Sequence, residues 1–213
     1  MLSISNIKTL ASFACLAIFL AGCAMPGGSG KDAKAKAGTT ASKSAAVAPA
    51  AERNFSRAVS MIKNEQYQDA EPLLLKLTQE FPNLRSPLIN LGIVYLRTER
   101  LDDAVNTFRK LVQLSPTQAS GHNYLGVALR TKGEFENARK AYEQAIAADP
   151  NFADAYLNLG VLHDLYLSQP SKALSYYEKY KQLANADEAQ RIEKWIADVQ
   201  RRNKPAVNAS EKQ

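Results

Sequence analysis

The chain has 213 residues, of which 46% are hydrophobic and 23% are charged, close to the usage of ordinary globular proteins. Its net charge of +6 suggests a nucleic-acid or membrane surface, but residues 52–198 carry 18 basic and 19 acidic side chains, so the excess lies at the two ends. This distribution predicts no nucleic-acid binding. Both cysteines precede residue 24, which excludes disulfides, cysteine-ligated zinc and cysteine nucleophiles from residues 24–213.

Residues 1–23 have the pattern of a targeting signal. One basic residue, Lys8, precedes an apolar run over residues 10–20, which is shorter than a bilayer span and typical of a signal peptide. The run ends in Leu20-Ala21-Gly22-Cys23, which resembles the lipobox of bacterial lipoproteins. That resemblance implies removal of residues 1–22 and attachment of lipid to Cys23. The alternative is an ordinary secretory signal with a chance cysteine.

The residues after the cysteine predict where the protein goes and how it is tethered. Residue 24 is Ala, not Asp, which for a lipoprotein of a Gram-negative cell implies an outer-membrane anchor and a body facing the periplasm. Residues 23–51 comprise the lipidated Cys and a segment, residues 24–51, that is rich in Ala, Gly, Ser, Thr and Lys and contains no aromatic residue. Such a segment buries too little apolar surface to fold, so it predicts a flexible linker with a mean span of about 30 Å.

The next part of the chain repeats with a period of 34 residues. The repeated positions are Pro82, Pro116 and Pro150; Gly92, Gly126 and Gly160; and Ala70, Ala104 and Ala138. This is the period of the tetratricopeptide repeat, a helix-turn-helix unit, and the chain resembles that family over residues 51–186. The resemblance implies an all-α solenoid of antiparallel helix pairs, in which the repeated glycine allows close approach of the second helix.

Residues 52–187 divide into four such units, at about 51–84, 85–118, 119–152 and 153–187. The two end units depart from the pattern, because Ala58 replaces the glycine of the first and Ala173 follows one residue late in the fourth. Residues 188–202 predict an amphipathic capping helix with Ile192, Trp195, Ile196 and Val199 on one side. Residues 203–213 are expected to form a disordered tail.

No residue pattern in the chain predicts catalysis, a metal site or a cofactor. His122 and His163 fall on repeat positions that normally pack between helices, and no His-x-x-x-His or His-Glu pair occurs. The carboxylates Asp102, Asp103 and Glu134 fall on inter-helix turns, where we expect them to cap helix N-termini. We therefore predict that the protein is not an enzyme.

Stacked helix pairs make a concave groove lined by the first helix of each repeat, and we expect partners to bind there. The predicted lining residues are Ile89, Asn90, Ile93, Arg97, Asn123, Tyr124, Val127, Arg130, Leu157, Asn158, Val161 and Asp164. Asn90 and Asn158 precede Leu-Gly, and in several families of this fold an Asn there clamps a peptide backbone. Tyr124 interrupts this series, and a merely solvated helix face is the alternative.

Together these features predict a periplasmic protein-binding adaptor, anchored in the membrane by lipid on Cys23. Resemblance to repeat lipoproteins implies three settings: pilus secretin assembly, scaffolding of cell-wall hydrolases and proteases, and TonB-associated energy-transducing systems. The alternative is a structural envelope protein that self-associates through its helix stacks, without a peptide ligand.

Overall fold

The structure, a computed structural model, describes residues 49–203, and these form helices without strands. Their order is α1 (Pro49–Lys63), α2 (Tyr67–Glu80), α3 (Arg85–Arg97), α4 (Leu101–Leu114), α5 (Ala119–Lys132), α6 (Phe135–Ala148), α7 (Ala153–Leu165), α8 (Pro170–Leu183) and α9 (Ala186–Asn203). Consecutive helices pack against each other along the whole series. The prediction of an all-α solenoid of helix pairs is confirmed.

The turn inside each of the first three repeats has one backbone geometry, and it recurs every 34 residues. Glu65, Glu99 and Gly133 each adopt a positive φ, of 59°, 58° and 90°. The amide of the following residue then donates 2.9 Å back to a carbonyl five residues earlier, as from Arg100 to Tyr95. This bond satisfies a carbonyl that the end of the first helix would otherwise leave without a partner.

The two helices of a repeat meet where a glycine of the first faces an aromatic ring of the second. Gly126 of α5 faces the fully buried Tyr142 of α6, and a Cβ added to Gly126 would lie 2.5 Å from the ring. The same arrangement joins Gly92 to Phe108 and Gly160 to Tyr177. The absent side chain is therefore what allows the two helices to approach this closely.

The two end repeats are complete helix pairs despite their departures from the pattern. In the first, Ala58 and Leu74 take the places of the glycine and the aromatic residue, and both are fully buried in the same core. The smaller side chain of Leu74 leaves room for the methyl group of Ala58. In the fourth, the extra residue lengthens the turn between α7 and α8, where Ser168 has a φ of 53° and the Gln169 amide donates 2.8 Å to the carbonyl of His163.

Helix α9 packs on the last repeat through Ile192, Ile196 and Val199, which are all buried. Trp195, expected on the same side, instead lies at the border of this packed side and is 41% exposed. Its ring contacts that of Tyr177 edge-on, with 5.9 Å between the ring centroids. A step of three residues along a helix falls short of a full turn, which carries Trp195 to the border of the packed stripe.

The helix bounds correct two predicted limits. Residues 49–51, expected to be linker, belong to α1, and α9 begins at Ala186 and includes Asn203. The signal peptide, Cys23, the rest of the linker and the tail from residue 204 lie outside the described residues and stay predictions. Among residues 49–203, no helix combines the length and apolar character that a membrane crossing requires.

The expectation that turn carboxylates cap the helix N-termini is wrong. Neither α4 nor α6 has a side-chain hydrogen bond at its N-cap. The carboxylates form ion pairs instead: the Lys132 ammonium lies 2.8 Å from Asp102 and 2.7 Å from Glu134, and Arg100 lies 2.7 Å from Asp103. They link neighbouring repeats or adjacent turns at the protein surface.

We predict that Gly126→Ala lowers the free energy of unfolding by about 1–3 kcal/mol, because the added methyl group overlaps the Tyr142 ring in a filled core. Urea unfolding followed by circular dichroism measures the change. Gly121→Ala is the matched control, since its added Cβ meets its nearest neighbour, Leu111, at 3.6 Å, an ordinary contact. Equal stability of the two variants would contradict this packing account.

Candidate functional site

The candidate site is the surface formed by the first helices of the repeats, α1, α3, α5 and α7, which we call the first-helix face. The structure brings α1 into contact with α3, α3 with α5, and α5 with α7. A stack of helix pairs curves toward the side on which successive helices approach each other, so this face is the inner side of the stack. The predicted groove residues all lie on these helices.

The residues of α3 and much of α5 form an accessible, largely apolar surface. Ile89, Ile93 and Val127 are half-buried against the core and keep part of their surface exposed. The ring of Tyr124 stacks on Phe108 of α4, with centroids 5.4 Å apart and an angle of 11° between the rings. Tyr124 is therefore half-buried, with one side of its ring against the core.

Asn90 and Asn158 occupy equivalent repeat positions but make different hydrogen bonds. The Asn90 side chain, half-buried, donates from Nδ2 to the Ser86 carbonyl in its own helix at 2.9 Å. Asn158 is only 4% exposed and donates from Nδ2 to Oδ1 of the buried Asn123 at 3.0 Å, while its Oδ1 accepts from Arg130 at 3.4 Å. Asn158 therefore joins α5 to α7, whereas Asn90 bonds only within α3.

The α7 part of the face is covered by α9. Val161 is 4% exposed in the cluster that contains the buried side of α9, and Leu157 packs against the same cluster. The Asp164 carboxylate, with its side chain 7% exposed, accepts from Arg202 of α9 at 2.9 Å and from the Tyr177 hydroxyl at 3.4 Å. Burial and the nearby Asp164 charge raise the pKa of Tyr177 far above its ordinary value.

The face therefore has two parts. The closed part, at α7, is held by the Asn123–Asn158 bond, the Asp164–Arg202 ion pair and α9. The open part runs over α1, α3 and α5. Of the predicted groove residues, Ile89, Asn90, Ile93, Arg97, Tyr124, Val127 and Arg130 lie on the open part, while Leu157, Asn158, Val161 and Asp164 lie on the closed part and Asn123 lies beneath their junction.

The groove prediction omitted the contribution of α1. A cavity of about 310 Å³ on this helix is lined by Phe55, Ser56, Val59, Ser60 and Lys63. Four of these residues stand 34 positions before Ile89, Asn90, Ile93 and Arg97, so the repeat period itself points to them. They were missed because the first unit matches the repeat pattern weakly at its own packing positions.

A second cleft, of about 420 Å³, opens between α6, α8 and the long turn that precedes α8. Its lining is Glu136, Arg139, Glu143, His163, Leu167, Gln169, Lys172 and Tyr176. Arg139 pairs with both Glu136 at 3.0 Å and Glu143 at 2.6 Å, so much of the charge is internally compensated.

The two histidines lie at the repeat positions expected to pack between helices, and His163 is buried there. His163 is 2% exposed and its ring stacks on that of Tyr176. Its Nδ1 lies 3.0 Å from Oε1 of Gln169. Burial lowers the pKa of His163 below the ordinary value of 6.5. His122 is half-buried, with Nε2 2.7 Å from the carbonyl of Pro116. Within residues 49–203, no three His, Cys, Asp or Glu side chains cluster in a way that could hold a metal ion.

Comparison with known proteins identifies the repeats. Residues 55–119 match the family described as tetratricopeptide repeat, and residues 128–164 match one described as TPR repeat. The match from residue 55 includes the first, weaker unit. The chain thus carries tetratricopeptide repeats, which typically form protein-interaction scaffolds and not catalytic sites. Among curated protein sequences, none matches the chain significantly.

Solved structures with the same fold support this assignment. A crystal structure of MamA is 26% identical, with a TM-score of 0.58, and covers 68% of this chain and 82% of its own. PilF of Pseudomonas aeruginosa is 19% identical, with a TM-score of 0.63, over 72% of this chain and 68% of its own. A thermophilic TPR protein of Thermus thermophilus is 22% identical, with a TM-score of 0.59, over 70% of this chain and 80% of its own.

We predict that Arg202→Gln lowers the free energy of unfolding by about 1–2 kcal/mol and loosens α9, because it leaves the buried Asp164 carboxylate without its cationic partner. Hydrogen exchange of the α9 amides, together with urea unfolding, measures both effects. The neighbouring Arg201→Gln is the control, since Arg201 pairs with Asp198 inside the same helix. Unchanged exchange in the Arg202 variant would show that the ion pair does not hold α9.

Proposed function

We propose that this chain is a lipid-anchored, protein-binding adaptor of the bacterial envelope. In this proposal, lipid on Cys23 holds the protein at the outer membrane, residues 24–48 tether the helical body, and the open part of the first-helix face binds a segment of an envelope protein. The partner belongs to one of the three settings implied by the lipoprotein resemblance: secretin assembly, cell-wall hydrolase scaffolding or a TonB-associated system.

The observation that carries the proposal is the continuous apolar row across the open part of the face. Val59, Ile93 and Val127 stand at one repeat position on three successive first helices, and all three are half-buried. The row lies on the inner side of the stack, where an extended segment can contact three helices at once. Burial of such side chains by a partner is favourable at about 25 cal/mol per Å² of apolar surface.

Tethering supports the same function by raising the concentration of this face near the membrane. A short flexible tether gives effective concentrations in the millimolar range, so a site of modest intrinsic affinity is occupied when its partner shares the membrane. An adaptor of this kind needs no catalytic residue, in keeping with the scaffold character of the repeats.

Substitution within the apolar row tests the adaptor function. We predict that Ile93→Asp lowers the yield of an envelope protein cross-linked to the chain in intact cells at least tenfold, because a carboxylate replaces an apolar contact at the centre of the site. Mass spectrometry identifies and quantifies the cross-linked species, and circular dichroism verifies that each variant is folded.

The matched control is Ile146→Asp, which makes the same change at a half-buried isoleucine of α6, away from the first-helix face. The adaptor proposal requires the control to keep the partner. Equal recovery from both variants contradicts it, and so does finding a second copy of the chain as the sole cross-linked species, which is the result expected for the self-associating alternative.

A second substitution tests the anchor. We predict that Cys23→Ala moves the protein from the membrane fraction to the periplasmic fraction, because no thiol remains at the lipobox position to accept lipid. Fractionation with immunodetection measures the change, and sucrose-gradient separation of the two membranes locates the native protein. Cys15→Ala is the control and should remain membrane-bound. Retention of the Cys23 variant in membranes would refute lipidation at this site.

A further inference from the structure

The cleft between α6, α8 and the long turn before α8 has the composition of a polar binding site. It contains none of the predicted groove residues of the first-helix face. Its volume of about 420 Å³ lies within the usual size of small-molecule sites, about 300–1,000 Å³. Of its eight lining residues all but Leu167 are polar, so an apolar ligand does not match it.

The repeat period shows that this junction differs from the corresponding junctions earlier in the stack. The cleft residues Arg139, His163 and Tyr176 stand where the preceding junction has buried apolar residues, which are Val105, Leu129 and Ala141. One repeat earlier still, the guanidinium of Arg100 covers the Tyr95 ring, 4.4 Å from its centroid. Polar side chains therefore surround an open cleft at the place that side chains fill in the two earlier junctions.

The buried His163 holds two of the lining side chains in position. Its Nδ1 donates to Oε1 of Gln169 at 3.0 Å, and its ring stacks on that of Tyr176 with 5.3 Å between centroids. The amide NH₂ of Gln169 and the hydroxyl of Tyr176 form no hydrogen bond with any residue of the range 49–203. Burial and the nearby Glu143 charge raise the pKa of Tyr176, so its hydroxyl keeps its proton and can donate.

Arg139 holds the two carboxylates of the cleft in the same way. It pairs with Glu136 through Oε2 at 3.0 Å and with Glu143 through Oε1 at 2.6 Å. The second oxygen of each carboxylate is left to accept a hydrogen bond from a ligand. Lys172 is exposed and forms no ion pair within the described part of the chain. Two cations and two carboxylates leave the cleft without net charge, since burial keeps His163 neutral.

This arrangement of donors and acceptors limits the chemistry of a ligand. Lys172, Gln169 and Tyr176 offer donors, and the two carboxylates offer acceptors, around one small space. A sugar hydroxyl both donates and accepts, and its hydrogen rotates to suit its neighbours, so each hydroxyl can pair with either kind of group. A charged ligand, by contrast, finds no net opposite charge here.

We propose that this cleft binds a neutral saccharide of one or two rings, whose hydroxyls donate to Glu136 and Glu143 and accept from Lys172, Gln169 and Tyr176. The inference does not rest on the proposed adaptor function, because the cleft and the open part of the first-helix face share no residue. A protein with both sites can hold a protein segment and a glycan at the same time.

The test is calorimetric titration of the full-length protein with two neutral disaccharides, N,N′-diacetylchitobiose and maltose. A polyoxyethylene detergent keeps the protein soluble without adding a sugar headgroup. We expect at least one disaccharide to bind with a Kd of about 1 mM or tighter. The neutral peptide acetyl-trialanine amide is the comparison ligand, and we expect it to bind at least tenfold more weakly.

The double substitution Lys172→Ala, Tyr176→Phe should weaken sugar binding at least fivefold, because it removes two donors while keeping the ring that stacks on His163. Its control is Lys110→Ala, Tyr67→Phe, which makes the same changes at an exposed lysine of α4 and a half-buried tyrosine of α2. Circular dichroism verifies that both variants are folded. Co-sedimentation with purified cell-wall glycan, with and without competing disaccharide, distinguishes a polymer source from a free sugar.

Three outcomes would overturn the inference: binding of neither disaccharide, equally tight binding of the peptide, or equal loss of sugar binding in both double variants. The variant Ile93→Asp should bind the sugar as the native protein does, since Ile93 lies on the first-helix face. Failure of the adaptor proposal and failure of the saccharide site are therefore separate results.

Discussion

The approach of a glycine to an aromatic ring within each repeat is the contact on which the rest of the structure depends. It sets the distance between the two helices in three repeats, at Gly92, Gly126 and Gly160. Each ring is buried between the two helices of its own repeat. The opposite sides of the first helices therefore lie together on one common face. The first repeat reaches the same arrangement with a different pair, Ala58 and Leu74, which are both fully buried. Leu74 is smaller than an aromatic residue and so leaves room for the methyl group of Ala58.

The sequence predicted the helix pairs and much of the face because both follow from the 34-residue period. It did not predict the positive φ of Glu65 and Glu99, since of the equivalent residues only Gly133 is a glycine, whose missing Cβ makes such a φ favourable. The turn is held there by its hydrogen bond to the preceding helix, which fixes the conformation whatever residue occupies the position.

The 34-residue period could not predict the division of the first-helix face into open and closed parts. The Asn123–Asn158 bond joins repeat positions that differ by one residue, and the Asp164–Arg202 pair depends on where α9 docks, outside the repeating region. Both depend on side chains brought together by packing between helices. The cleft beside His163 similarly follows from the extra residue that lengthens one turn.

In the proposed adaptor, the two ends of the helix stack have different tasks. The closed part, with α9 over α7, completes the core and protects the last repeat from solvent, as a solenoid requires. The open part keeps an apolar row, Val59, Ile93 and Val127, accessible on three helices. Placing the open part at the N-terminal side of the stack also puts it nearest in sequence to the proposed tether, which begins at Cys23.

Site-specific photo-cross-linking in living cells tests the central claim, that partners bind the open part of the first-helix face, most directly. A photoreactive amino acid is placed at position 93 in the apolar row, or at position 140 on the exposed side of α6, and adducts are identified by mass spectrometry. We predict an adduct from position 93 that maps to an envelope protein, and none from position 140. Adducts from position 140 alone, or from position 93 only to a second copy of this chain, would contradict it.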